Sequence, residues 1–279
     1  MQQNSTGAAL VAGIAAQQLP LSPLGLNNQP YTLVMSRPEY LTVSNSELTI
    51  RVDIFTVTNI LVALLRIAFD RFRIKKNNSD LVFFRLLGTG TGRTFTSKDA
   101  NYKRWVILTV WNNQHAASAF NDHKIFKHWQ ARSAEFATYY LATLSSKGSW
   151  AGKQPFGNPT AHRWDGPVLS ITRARIKFRM WRRFQKEVPP VSNSLHSSSG
   201  MMTAFGIGEA PIGLQGTVSV WKSNKALTQF AQREHAHRVV ITKTHELNWY
   251  SEELFARFAI IATHGSLDGV PLANAIATG

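Results

Sequence analysis

The chain contains no cysteine. That excludes a disulfide framework, a thiolate metal ligand, a cysteine nucleophile and a haem held by thiolate or attached through a CxxCH motif. Long apolar runs are missing as well. The longest candidate, ILVALLRIAFDRF at 60–72, is interrupted by Arg66 and falls short of the ~18–20 residues that span a bilayer. MQQNSTGAALVAGIA at the start lacks the basic opening of a signal peptide. The expectation is a cytoplasmic protein, with peripheral attachment to the inner membrane as the membrane role left open, and a loose N-terminal extension over 1–45.

Acid is scarce too: 16 Asp and Glu stand against 31 Lys and Arg, a net charge of +15 at pH 7. The excess gathers in RFRIKK (71–76), in RARIKFRMWRR (173–183) and around Lys124 to Arg132. Such a balance suits an anionic partner, whether nucleic acid, an anionic membrane surface or an acidic protein, or else a merely solvated basic surface. Aromatic residues lie among the charges, but no RNA-binding motif accompanies them, which weighs against nucleic acid. A hydrophobic fraction of 44% with 17% charged residues fits a folded globular protein rather than a disordered one.

What is present is a repeat. WVILTVWNNQHAASAF (105–120) and GTVSVWKSNKALTQF (216–230) each run from β-branched residues to a tryptophan, and each has a phenylalanine nine residues later, Trp111 to Phe120 and Trp221 to Phe230. EFATYYLATLSSKGSWAG (135–152) matches EELFARFAIIATHGSLDG (252–269), with Glu135 and Glu252 each 13 residues before Gly148 and Gly265. GTG at 88–90 corresponds to GIG at 206–208, and the offset between copies stays near 110–118. Two homologous halves account for this pattern.

Hydrophobic periodicity assigns each half its elements. The first half reads as strands at 48–57, 81–88, 105–111 and 136–144, with helices at 59–72 and 113–132. The second reads as strands at 167–178, 201–207, 215–221 and 253–263, with helices from about 180 and at 223–246. Both halves spell βαββαβ, the ferredoxin-like unit. One such four-stranded sheet leaves a face uncovered, and a second sheet in the same chain can cover it. The expected fold class is therefore α+β, two fused ferredoxin-like βαββαβ repeats forming an intramolecular dimeric α+β barrel or sandwich. Its parts would be a first repeat at 46–160 and a second at 161–279, with a ligand between sheet and helices of one half.

Several motifs can be set aside. GTGTG and GIGE are followed neither by the GK[ST] of a P-loop nor by Rossmann spacing, and read as tight strand turns shared by the repeats. His123 and His128 lack the companions of a zinc site, and no GxSxG elbow supports a serine hydrolase. Trp221 has Trp111 as its copy and reads as core. Glu252, with Glu135 as its copy, reads as a structural residue starting a strand or bonding a turn.

The segments FRLLGTGTGRTF (84–95), WVILTVW (105–111), GSWAGKQPF (148–156), GPVLSITRARI (166–176), GIGEAP (206–211), QGTVSVW (215–221), FAQREHAHR (230–238) and WYSEELFARF (249–258) together resemble the spheroidene monooxygenase family of bacterial carotenoid ketolases. They occur in the family's order over about residues 81–270, and Arg175 stands where the family usually has threonine. The resemblance implies haem b, with a histidine of the second-half helix on the iron, and oxygen insertion at an activated carbon of a hydrophobic substrate, an acyclic carotenoid of the spheroidene type. Two hydroxylations of one carbon would give a diol that loses water to a ketone, with electrons from a ferredoxin-like or other donor.

Given a haem, helical phase separates two histidines. Phe230, Arg233, His237, Val240 and Ile241 share one stripe, whereas His235 lies about 200° from His237 around the helix. His237 is therefore the expected iron ligand and His235 the fallback, with Phe230 and Val240 lining the cofactor. Carrying the phase from Phe120 into the first half places Lys127 opposite His237, so the histidine pair belongs to one repeat. Arg233 could reach a propionate. Arg173, turned inward by strand alternation, could pair with a propionate or donate to bound oxygen as a catalytic residue, or be a surface arginine in a basic run. Two rivals stay open: a haem enzyme of the same barrel acting on a small nitrogenous compound, and a non-enzymatic basic binding module.

Overall fold

The computed structural model describes residues 32–33, 48–75, 78–92, 99–159, 164–180, 195, 197–209, 214–233 and 250–273. Its strands are β1 (Thr32–Leu33), β2 (Thr49–Val57), β3 (Leu81–Gly90), β4 (Ala100–Trp111), β5 (Ser133–Gly148), β6 (Val168–Ile176), β7 (Met201–Gly208), β8 (Leu214–Trp221), β9 (Tyr250–Leu267) and β10 (Val270–Pro271). Its α-helices are α1 (Ile60–Arg73), α2 (Gln114–Ala119), α3 (Lys124–Ala131) and α4 (Asn224–Arg233).

The strands pair antiparallel in the order β9-β5-β2-β4-β3-β7-β8-β6, and β6 pairs back onto β9. The sheet is thus a closed barrel without free lateral edges along this path. Each half contributes four strands, and two seams join the halves. In one, β5 meets β9 from Ala137↔Gly265 to Gly148↔Leu254, two pairs that the repeat exchanges. In the other, Gly88, Thr89 and Gly90 pair with Gly208, Ile207 and Gly206. The expectation of tight turns at GTG and GIG is corrected here: both stretches are extended strand and pair with each other.

Gly148 and Gly265 are turning points of the first seam. Their φ values are +95° and +86°, and a Cβ on either would lie 2.1 Å from a carbonyl oxygen, of Glu253 and Phe136 respectively. No other residue type fits both constraints.

Strand alternation then sorts the side chains. Ile50, Val52, Ile54, Leu169, Ile171 and Phe258 point into the barrel and belong to its apolar core. Outside, α2 and α3 close over Phe55, Ile107, Trp111 and Tyr140 of the first half, and α4 packs on Val168, Trp221 and Ala259 of the second. Fully burying an aromatic ring such as Phe55 contributes about 1.5–3 kcal/mol. The repeated nine-residue interval is a ring contact: Trp111 and Phe120 lie 5.3 Å apart, Trp221 and Phe230 5.2 Å apart. Each tryptophan also donates to a hydroxyl two residues before it, Thr109 or Ser219. Asn113 and Ser223 cap the following helices at the same place, accepting from the Ala116 and Ala226 amides.

The helix expected at 113–132 is broken. A 3-10 turn at Phe120–Asp122 ends the first piece, His123 is extended, and its Nδ1 accepts the Ile125 amide at 3.2 Å to start α3. Helical phase therefore does not carry from Phe120 to Lys127, which pairs with Asp122 at an exposed position. Of the second-half helix expected at 223–246, the described part is α4, and the helix expected from about 180 lies outside the described residues. Thr32 and Leu33, within the extension expected to be loose, pair with Thr263 and Ala262 of β9.

Candidate functional site

Because the halves correspond strand for strand in pairing order and register, each is a control for the other. On the first half's helix-facing surface, Arg51 and Asp53 are both fully buried and share two contacts of 2.9 Å. Arg51 also donates to the Ala117 carbonyl at 2.8 Å and lies over the Phe126 ring at 4.5 Å, while Thr138 donates to Asp53 at 2.7 Å. Burial pushes the Asp53 carboxyl above its usual range, against the opposing pull of Arg51 and Thr138. Phe55, Phe84, Leu86, Ile107 and Tyr140 fill the remaining space under α2 and α3.

The registers give the second half's counterparts. Thr49 and Val168 occupy equivalent places opposite Trp111 and Trp221, so Ser170 stands for Arg51, Thr172 for Asp53 and Ala174 for Phe55. Likewise Ala204 stands for Phe84, Gly206 for Leu86 and Thr217 for Ile107. At five of these six places a larger side chain is replaced by a smaller one, and at the sixth the charged Asp53 is replaced by the neutral Thr172. Thr172 and Phe255 are exposed, where their counterparts Asp53 and Thr138 are buried. Among the described residues one cation sits on this surface: Arg257, in the place of Tyr140, donates to Thr228 of α4 at 3.4 Å. The second half thus presents a sheet surface of mostly small residues, with exposed Phe255 beside Thr172 and a half-buried guanidinium, where the first half's is filled by large side chains.

Arg173 lies on the other side of β6. It is almost fully buried and faces the lumen, as alternation predicted, with Nη1 2.5 Å from Glu252 and Nε 3.2 Å from Glu209. Its guanidinium stacks over Trp150 at 5.1 Å, and Trp150 Nε1 donates to Glu209. Arg85 pairs with Glu209 at 3.3 Å, and burial lowers its pKa. Glu252 also accepts from Ser149 and the Gly152 amide; burial raises its pKa, but these bonds and Arg173 bring it down to about 2. Arg173 is therefore turned away from α4 and engaged by two carboxylates.

Glu209, Arg85 and Arg257 went unnoticed in the sequence. The signal for Arg257 was there, as a charged residue aligned with a tyrosine, but using it requires strand register. Phe230 packs on Trp221 beneath α4, partly buried. Arg233 is the last residue of α4. His235, His237 and Val240 lie outside the described residues. Among the described residues no group of three or more His, Asp or Glu is placed to hold a metal ion. A porphyrin iron requires only one axial side chain. The second-half surface fits such a group: Ser170, Thr172, Ala174 and Thr217 leave room beside the sheet for a planar macrocycle, and Arg257 offers a guanidinium for its acid groups.

No protein-family model matches the chain. The spheroidene monooxygenase of Rhodobacter capsulatus is 34% identical over 201 residues, covering 70% of this chain and 82% of that protein. The protein of that name from Cereibacter sphaeroides is 33% identical over 190 residues, covering 67% of this chain and 58% of its own length. That from Rubrivivax gelatinosus is 31% identical over 189 residues, covering 67% and 72%. A crystal structure of aldoxime dehydratase with butyraldoxime aligns at a TM-score of 0.55 over 80% of this chain and 84% of that one. A second aldoxime dehydratase structure aligns at 0.51 over 83% and 92%. Both are 6% identical to this chain, a likeness of fold alone.

Proposed function

We propose a function from one premise: the chain belongs to the spheroidene monooxygenase family. The reading is a haem-dependent monooxygenase of the ketolase type that oxygenates an activated carbon of an acyclic carotenoid. The observation that carries the cofactor assignment is the exchange of six large or charged residues for small ones on the helix-facing sheet of the second half alone.

In this reading His237, which follows α4 in sequence, would hold the iron, with His235 as the fallback. Ser170, Thr172, Ala174 and Thr217 would form the wall facing the macrocycle, with Phe230 and Val240 as further lining residues. Arg257 and Arg233 would hold the propionates by charge-assisted hydrogen bonds. When bound, the haem supplies activation of oxygen for insertion into a C–H bond. Arg173 is a positioning residue: through Glu252 and Glu209 it fixes the strand ends that frame this wall.

A ferredoxin-like donor would provide the electrons. Each hydroxylation converts one C–H to C–OH and reduces the second oxygen atom to water, and two at one carbon give a geminal diol that loses water to a ketone. Expression in a host that accumulates acyclic carotenoids, followed by pigment analysis, is the test. A new ketone with the wild type and none with His237→Ala is expected. Unchanged pigments with a haem-loaded wild-type protein would overturn the substrate, and an unchanged Soret band in His237→Ala would overturn the ligand.

A further inference from the structure

Helix α1 is built the wrong way round for a helix that only packs on a sheet. Its buried positions are Ala63 and Asp70. Asp70 is the anchor, accepting from Arg66 of its own helix and from Trp129 Nε1 of α3 at 3.0 Å each. The large apolar side chains point outward: Leu61 is 72% exposed, Leu65 61%, Phe69 55% and Phe72 76%. At ~100° per residue these four fall within about 80° of arc, roughly opposite Ala63 and Asp70, and exposed Leu64 borders them. A contiguous apolar stripe of this kind on a soluble surface marks an interaction site.

Its charges narrow the partner. Arg71 and Arg73 fall on either side of the stripe, with guanidinium carbons 5.5 Å from the Phe72 ring and 5.9 Å from the Phe69 ring. Lys75 follows, exposed, just past the helix end. The helix's one carboxylate, Asp70, is buried and paired, so the outer face carries no negative charge. Apolar side chains bordered by cations that can reach back from their aromatic neighbours match the headgroup boundary of an anionic bilayer. There the rings and leucines enter the acyl region and the guanidinium groups meet lipid phosphates.

We propose that α1 is the membrane-docking element of this protein, seating Leu61, Leu65, Phe69 and Phe72 in an anionic phospholipid surface. The inference goes beyond the proposed chemistry and does not depend on it, because docking is read without turnover. The test is co-flotation of the full chain with vesicles of phosphatidylcholine alone or with about one third phosphatidylglycerol. Binding to the anionic vesicles, at least tenfold weaker to the neutral ones, is expected. Leu65→Ser/Phe69→Ser/Phe72→Ser should reduce binding at least tenfold, and Arg71→Glu/Arg73→Glu should reduce it and make it less salt-dependent. These positions are exposed, so both variants should keep the wild-type thermal midpoint. Absence of flotation would overturn the proposal. So would a wild type that is dimeric by light scattering and becomes monomeric in the serine variant with vesicle binding unchanged, since the stripe would then be an interface between copies. Equal binding by the serine variant and the wild type would overturn it as well.

Discussion

Glu252 accepts the backbone amide of Gly152 at 2.7 Å, across 100 residues of sequence. Its copy in the other repeat, Glu135, accepts the Gly269 amide at the same 2.7 Å and that of Asp268 at 3.0 Å. Each carboxylate thus ties the turn that leaves the other half's long strand, and the two turns share a non-glycine residue at positive φ, Ala151 and Asp268. The repeat has locked itself by exchange. Glu252 differs in one respect: it also holds Arg173, whose counterpart by register is Ile54.

That difference gives a pH dependence with a definite sign. Glu252 titrates at about 2 in the folded chain, against about 4.3 in an unfolded one. Its contribution is present in full above the unfolded value and is lost as pH falls from about 4.3 toward 2. The Glu135 carboxyl is also held below its ordinary value, by the turn amides and Ser266 against the opposing effect of burial, and acts in the same direction. Urea unfolding midpoints should therefore fall steeply below about pH 4.5. Glu252→Gln, which keeps an acceptor for Gly152 but loses the charge facing Arg173, should cost about 1–3 kcal/mol at pH 6. Its acid slope should be shallower than the wild type's. Identical slopes would show that the carboxylate's bonds are not maintained in solution.

The buried pair of the first half invites a test by exchange with its own copy. Asp53→Thr installs the residue found at position 172 but leaves Arg51 buried without its carboxylate, and should cost about 3–5 kcal/mol. Adding Arg51→Ser removes the stranded charge and leaves a cavity in its place. The double variant should therefore lose much less than the sum of the single losses, by about 2 kcal/mol or more, in a denaturant-unfolding cycle. Additive losses would mean that the two side chains are not energetically coupled.

The barrel was legible in the sequence because its signals are local and doubled. Trp111 with Phe120 and Trp221 with Phe230 fix the strand-to-helix corner in each half, and Glu135 with Glu252 mark the turns. The break at His123 was not legible, since a histidine side chain capping a helix leaves no mark in hydrophobic periodicity. Nor was the pairing of GTG with GIG, a contact between halves that repeat comparison aligns but does not bring together. The charged network around Arg173 was half legible: alternation turned the side chain inward, whereas Glu209 and Glu252 reach it only through the closure of β6 onto β8 and β9.

The small-residue wall makes the sharpest prediction about cofactor binding, because the first half shows what fills the same space. Ala174→Phe and Ala204→Phe restore the residue types of positions 55 and 84, which fill the space between the first half's sheet and its helices. In a protein whose second-half wall serves only as core, such overpacking would cost stability, typically about 1–3 kcal/mol each. If the wall is kept clear for a planar cofactor, the double variant should stay folded, with a thermal midpoint near that of the cofactor-free wild type. It should also lose haem binding, read as loss of the Soret band on titration with hemin. Wild-type haem affinity in the double variant would move the cofactor elsewhere. A collapse in stability with no change in binding would make the wall ordinary core.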